Sequence, residues 1–277
     1  VEQAERTSRV GIAVIMSVYR SDNPIFLRKA IESILNQTIR NDLYLFRDGE
    51  VSHDLQNVIN EYVSNGKIKY YYKPKNSGLA SSLNFLIDII IEKNYHYIAR
   101  MDSDDISLPE RLFLQKSFLD NNPNIDILGT GCEEFGTNYA LIEKKLPSEH
   151  KELVNFSITR CPFIHPSVMF RRKVFEDGNR YPTHTCFTED MAFWLELLYK
   201  NYKFHNLPDI LLKYRLEQNT MSRRAGLSKA KSEVSLRLGY MFLLNKFSFK
   251  NLIFIYSRYF FHLLPPKLMS LAYKYLR

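Results

Sequence analysis

Arg100-Met101-Asp102-Ser103-Asp104-Asp105-Ile106 ends an apolar run that begins at Tyr95, and Pro109-Glu110-Arg111 follows shortly after. The run reads as a strand and the proline-led segment as the start of a helix, so three aspartates stand on the turn between them. Carboxylates at i and i+2 on a turn leaving a strand can converge on one hard cation. Mg²⁺ and Mn²⁺ take oxygen ligands and are commonly held by one or two carboxylates together with substrate phosphates. The competing reading is a solvated turn whose last aspartate caps the next helix.

The segments before this turn repeat one pattern. Gly11 to Tyr19 (GIAVIMSVY) is continuously apolar, as expected of a strand covered on both faces in a parallel sheet. Ser21-Asp22-Asn23-Pro24 marks a turn and a helix start, and Phe26, Leu27, Ala30, Ile31, Ile34 and Leu35 then recur at helical spacing. Leu43 to Phe46 reads as a second strand ending in Arg47-Asp48-Gly49, and His53 to Tyr62 as a helix. A strand from Lys67 to Tyr72, a loop with Asn76-Ser77-Gly78 and a helix from Leu79 to Lys93 lead back to the aspartates. Such strand–helix alternation predicts an open α/β sheet. Ligands of these sheets sit beyond the carboxyl ends of the strands, where Tyr19, Asp48, Asp102 and Asp104 all fall.

After the aspartates, Ile125 to Gly131 reads as a strand, Glu133 to Pro147 as irregular, and Ile210 to Arg215 as a short strand. His165 stands between Pro162 and Pro166 in a segment that either fixes a loop or meets a ligand. Thr188-Glu189-Asp190 opens an apolar helix. Thr188 is suited to the N-cap, and two acids in the first turn suit the helix dipole.

The chain has 277 residues and is 45% apolar, enough for one large domain or one domain with an appendage. Cys132, Cys161 and Cys186 are far apart, odd in number and lack metal-site spacing, which implies a reducing compartment without disulfides. The stretch Val1 to Arg6 is polar and does not read as a signal peptide. No apolar run reaches the roughly 20 residues of a spanning helix. Charge is placed unevenly. Residues 223–277 hold 11 Lys/Arg against one acid, Glu233, a charge of +10, while the whole chain carries +8 and residues 1–222 therefore −2.

Taken in order, VIMSVYR, ILNQT, RDG, NSGLASSLN, ARMDSDDISLPERL, IHPSVMF, TEDMAFWLEL and LLKYR span about residues 11–216, and the set resembles the family 2 nucleotide-sugar glycosyltransferases. RCPFIHPSV, NLPDIL and the Ser222-Arg223-Arg224 stretch resemble more narrowly the enzymes of bacterial O-antigen, capsule and exopolysaccharide synthesis, including the amylovoran type. The resemblance implies a GT-A fold, a Rossmann-like open mixed sheet flanked by helices. It implies a catalytic domain over residues 1–222, with nucleotide-sugar binding at about 11–130 and the acceptor part at about 131–222.

The family's Asp-x-Asp motif matches Asp102-Ser103-Asp104. The resemblance thus makes Asp104 the metal ligand and places Asp102 near the ribose or metal, with Mn²⁺ or Mg²⁺ as cofactor. The family's base, the Asp of a Glu-Asp pair opening a helix, matches Asp190. Asp48 is the expected uracil contact and Tyr19 its flanking residue, although Arg47-Asp48-Gly49-Glu50 replaces the usual Asp-Asp-Gly-Ser. The loop before the Glu-Asp pair also departs from the family, as Asp177-Gly178-Asn179-Arg180-Tyr181. His165, Glu189, Arg215, Arg223 and Arg224 are candidates for acceptor or phosphate contacts, each with a structural alternative. The implied reaction is inverting transfer of glucose or galactose, through a β1,3 bond, from a UDP-sugar to a polyprenyl-diphosphate-linked N-acetylhexosamine. The expected place is the cytoplasmic face of the bacterial membrane.

Rival readings are a phosphatase or nucleotidyltransferase built on the aspartates, a UDP-sugar transferase with another acceptor, and an inactive glycan-binding scaffold. A haloacid-dehalogenase-type phosphatase wants its aspartates after the first strand and followed by Gly-Thr, whereas these follow the fourth. The tail, residues 223–277, interleaves Lys and Arg with Phe254, Tyr256, Tyr259, Phe260 and Phe261, a composition suited to a helical surface on anionic membrane. The alternative is a helical lid packed on the catalytic domain. Basic and aromatic residues also bind single-stranded nucleic acid, but no RNP or zinc-knuckle module accompanies them, and no nucleic-acid partner is expected.

Overall fold

The computed structural model describes residues 11–185, 188–217, 226–265 and 268–269. Among these, eight strands form one mixed sheet in the order β3-β2-β1-β4-β7-β6-β8-β5. The strands are β1 (Gly11–Tyr19), β2 (Asn41–Asp48), β3 (Ile68–Lys73), β4 (Tyr95–Asp102), β5 (Ile106–Ser107), β6 (Ile127–Phe135), β7 (Met169–Arg171) and β8 (Phe204–Arg215). The first four in sheet order are parallel, β7 runs antiparallel to both neighbours, and β6 and β8 are parallel to each other. The helices are α1 (Pro24–Leu35), α2 (His53–Ser64), α3 (Leu79–Ile91), α4 (Arg111–Asn121), α5 (His150–Ser157), α6 (Lys173–Glu176), α7 (Glu189–Tyr199), α8 (Leu227–Leu243) and α9 (Phe249–Leu263).

Alternation along β1 explains why the run is apolar throughout. Ile12, Val14, Met16 and Val18 pack with α1, α2 and α4, whereas Ala13 and Ile15 pack with α3 and the aromatic layer of Phe170, Phe193 and Trp194. Helix starts follow the sequence signals: Asn23 accepts from Ile25 N at 2.8 Å ahead of Pro24, and Ser52 accepts from Leu55 N at 3.3 Å.

Three expectations change. β6 continues to Phe135, and Cys132 pairs with Lys144 through two backbone hydrogen bonds, so the segment after Gly131 is partly ordered. β8 is twelve residues long because Pro208 falls where the β6–β8 register slips between Thr130 and Gly131. A bulge tolerates a residue that has no N–H to give the ladder. Thr188 is the N-cap of α7, but its side chain does not cap the helix; its Oγ1 lies 3.2 Å from Ser232 Oγ on α8.

The basic segment begins as a hairpin of α8 and α9 fixed to the body. Ile158 after α5 packs with Met241 and Ile255. Arg237 Nη1 donates to the Ser157 and Ile158 carbonyls at 3.0 Å. Glu233 Oε1 accepts from Arg237 Nε at 2.8 Å and from Arg258 Nε, and Oε2 meets His262 Nε2 at 2.7 Å. These contacts outweigh the burial that opposes its charge, so the Glu233 carboxyl is held far below its ordinary range. Breaking a buried pair by removing one partner costs about 3–5 kcal/mol. Glu233→Leu should therefore lower the melting temperature by several degrees at pH 7, and an unchanged melt would show that the cluster does not secure the hairpin. A depressed carboxyl contributes stability above its unfolded value of 4.5 and loses it only as pH falls further, so the wild-type advantage should persist from pH 8 to pH 5.

Candidate functional site

Sheet register assembles the first wall of the site. Tyr19 lies opposite Asp48 across β1–β2, and Ser17 opposite Asp102 across β1–β4, so these residues share the carboxyl edge of the parallel strands. The turn after β4 then folds so that ligand oxygens of Asp102, Asp104 and Asp105 lie within 4.8 Å of one another. Asp105 is fully buried, its Oδ1 accepts from Arg215 N at 2.7 Å, and its Oδ2 has no partner among the described residues. Asp105 is therefore shielded from solvent while Asp102 and Asp104 are half-buried, and Asp105 does not cap α4, whose N-cap Glu110 makes no side-chain cap bond.

Each acid here is tuned by burial and by its neighbours. Burial chiefly, then Asp102, Asp22 and Glu217, raises the Asp104 carboxyl to about 7, against a lowering pull from Arg215. Asp105 is also pushed well above its ordinary value, first by burial and then by Asp104 and Asp102. Asp22, after β1, accepts from Tyr19 N at 3.0 Å and Ser103 Oγ at 2.8 Å, and burial raises it to about 6.

Arginines stand against this charge. Arg100, almost completely buried, meets Asp102 at 2.5 Å, and its Nε and Nη1 have no partner among the described residues. Arg111 is buried beside it and donates to the Arg100 and Pro166 carbonyls; burial lowers its guanidinium to about 9, with Asp105 opposing. Arg215 lies 3.6 Å from the Phe26 ring centroid and 4.3 Å from that of Phe135, and its Nε donates to the Asp104 carbonyl at 2.8 Å. It braces the turn that carries the aspartates.

The second wall comes from α7 and the His165 segment. Asp190 Oδ1 accepts from Met191 N at 2.7 Å, and the Cys161 thiol lies 3.9 Å from Oδ2. Burial, then Asp190, raises the thiol to about 12, which keeps it protonated beside the carboxylate. His165 Nε2 meets Tyr181 Oη at 3.0 Å, and burial followed by the Arg100 charge depresses the imidazole well below 6.5, so it is neutral. Burial chiefly, and then the charges of Arg100, Asp190, Asp102 and Glu189, act on the Tyr181 hydroxyl, so it lies near residues of both walls. Glu189 is raised by burial and by Asp190.

Asp48 is 3% exposed; its carboxylate accepts from Ser77 N and Ser77 Oγ on one oxygen and Gly78 N on the other, at 2.7 to 3.0 Å. What it holds in this structure is the Asn76–Gly78 loop. Gly49 follows at φ +90, where an added Cβ would meet Asn76 N at 3.0 Å. Arg223 and Arg224 lie outside the described residues. Sequence reading gave no role to Asp22, Arg100, Arg111, Cys161 or Tyr181. The one available signal was an arginine inside an otherwise apolar strand, at Arg100.

Three carboxylates with one orphaned buried oxygen form an all-oxygen donor set that fits Mg²⁺ or Mn²⁺. Residues 13–178, more than half of the chain, match the profile of Glycosyl transferase family 2. The chain belongs to that family. This glycosyltransferase is 32% identical over 270 residues to a UDP-Gal:alpha-D-GlcNAc-diphosphoundecaprenol beta-1,3-galactosyltransferase of Escherichia coli, covering 95% of this chain and 94% of that one. It is 29% identical over 263 residues to an amylovoran biosynthesis glycosyltransferase of Erwinia amylovora, with 95% and 97% covered. Its fold is similar to that of a Pyrobaculum calidifontis mannosyltransferase solved with GDP-Man and Mn²⁺, at a TM-score of 0.63, 13% identity, and coverage of 96% and 74%. The fold is thus the GT-A fold, as the family resemblance in the sequence implies.

Proposed function

We propose that this glycosyltransferase transfers a hexose, glucose or galactose, from a UDP-sugar to a polyprenyl-diphosphate-linked N-acetylhexosamine with inversion, forming a β1,3 bond in bacterial surface polysaccharide synthesis. The observation that carries the reading is an aspartate cluster at the strand ends and a separate carboxylate, Asp190, at the start of α7, both acting on the buried Tyr181. Asp102, Asp104 and Asp105 would hold Mn²⁺ or Mg²⁺, which supplies positive charge to a departing diphosphate. Asp190 accepts the proton of the acceptor hydroxyl as its oxygen bonds to the anomeric carbon. The bond from that carbon to the diphosphate oxygen breaks, and its electron pair leaves with UDP. Arg100 orients Asp102, Arg215 fixes the turn, and Asp48 shapes the loop that borders the nucleotide beside Tyr19. Residues 11–130 form the donor part and 131–222 the acceptor part. A screen of UDP-sugars against synthetic lipid-diphosphate acceptors, read by mass spectrometry, tests the assignment; hydrolysis without transfer to any such acceptor would refute it.

A lipid-linked acceptor has to be met at a bilayer, and the hairpin is suited to that surface. No described helix is long and apolar enough to cross a membrane. Phe249, Ile253, Tyr256, Phe260 and Leu263 recur every three or four residues along α9, and all are exposed, from 43% at Leu263 to 77% at Phe249. With the surrounding positive charge, this stripe suits the face of an anionic membrane. Arg258 is bound to Glu233, so charge reversal at Lys246, Lys250, Lys267 and Lys274 is the informative variant; the last two lie outside the described residues. Basic residues contribute about 1 kcal/mol each near such a surface. The variant should lose phosphatidylglycerol-vesicle binding by more than about 100-fold in a sedimentation assay, and undiminished binding would remove the charge argument.

A further inference from the structure

Between α8 and α9 lies an open groove of about 510 Å³, lined by Val234, Leu238, Tyr256, Tyr259 and Phe260, by Ser235, and by the exposed Lys231. Ligand pockets run to about 300–1,000 Å³, mostly apolar with a few polar groups that orient the ligand. Here Lys231 is the one charged lining residue. The start of α8, where Lys231 stands, packs beside the start of α7: Ser232 meets Thr188, two residues before Asp190. Lys229 acts on Glu189 from the same end of α8. The sole acid of the hairpin, Glu233, is buried and held by Arg237, Arg258 and His262, so no exposed carboxylate among the described hairpin residues opposes an anion.

An apolar trough with an ammonium at the end of α8 that packs beside the start of α7 matches a hydrocarbon chain that ends in phosphate. A second copy of the chain would bring another +10 segment against this one. We propose that the α8–α9 groove binds the isoprene units nearest the diphosphate in a polyprenyl-linked acceptor, with Lys231 against the phosphates. The inference rests on the acceptor class proposed above. It makes the lipid part of substrate recognition, so a long polyprenyl acceptor binds better than a short alkyl one even in detergent, where no bilayer assists.

Photolabelling of the full chain in detergent with a benzophenone-bearing geranylgeranyl diphosphate tests this without any sugar transfer. Labelled peptides should come from α8 and α9. Ser235→Trp, filling the groove from an exposed position, should cut labelling by about tenfold, a change of 1.4 kcal/mol. Tyr259→Asp, at a groove position outside the membrane-facing stripe, should do the same by setting a carboxylate in an apolar wall. Equal labelling of both variants and the wild type overturns the assignment, as does displacement by phosphatidylglycerol as effective as that by unlabelled geranylgeranyl diphosphate. On sugar-bearing acceptors, Ser235→Trp should lower the preference for polyprenyl over short alkyl chains by about tenfold. Groove labelling in a wild type that transfers sugar to no lipid diphosphate would refute the acceptor class alone. Transfer without groove labelling would refute the groove alone.

Discussion

Asp104→Asn should abolish sugar transfer and leave UDP affinity indifferent to Mn²⁺. The substitution removes one oxygen ligand from the Asp102–Asp104–Asp105 set, which we propose holds the metal at the departing diphosphate. Removing one preorganised stabiliser of such charge costs about 10²–10³-fold, and a direct metal ligand should cost at least that. Stability should move the other way. Burial and neighbouring acids hold the Asp104 carboxyl at about 7 against an ordinary 3.8, so its stability contribution is complete below 3.8 and is lost as pH rises to about 7. Asn carries no such penalty. In chelator at pH 8 the variant should therefore melt above the wild type, and Mn²⁺ should close the gap by stabilising the wild type alone. A variant that keeps its Mn²⁺-dependent UDP affinity and its activity would displace Asp104 from the site.

Asp190→Asn should separate chemistry from binding. The amide oxygen can still accept from Met191 N, the bond that Asp190 Oδ1 makes at 2.7 Å, so α7 should start where it does now. The amide cannot take a proton from an acceptor hydroxyl. General-base catalysis contributes about 10²–10⁴-fold, and kcat should drop by that order while UDP binding and the melting temperature stay near wild type. Loss of UDP binding or of the fold, with kcat per folded molecule preserved, would make Asp190 a helix-start residue and leave the reaction without its base.

Signals within one element were legible, and those made by contacts between distant elements were not. β1 and the strands beside it announced themselves because a strand covered on both faces needs no polar side. The aspartates were visible because they end such a strand. Asp105, by contrast, looked like a cap; its bond comes from Arg215, 110 residues away. Thr188 has the identity of a cap, yet Ser232 on α8 takes its hydroxyl. Pro208 reads as a break, and only the slip against β6 lets β8 run through it. Arg258 reads as surface charge, while Glu233, 25 residues earlier, holds it in a buried cluster. Asp48 was legible by position, but the three bonds that occupy its carboxylate arise from a loop nearly thirty residues on.

β7 has a consequence for how the molecule carries load. Its three residues, Met169–Arg171, join β4 to β6, and through them the parallel strands β1 to β4 to the strands that brace the aspartate turn. Arg171 acts as a rivet there, donating to the Ile125, Leu119 and Asn122 carbonyls at 2.6 to 3.0 Å. β1 lies on one side of this junction and the hairpin follows β8 on the other, so tension between them crosses it. Drawn apart in an optical trap by handles before β1 and on α9, the protein should rupture first at β7, with the parts on either side of it still folded.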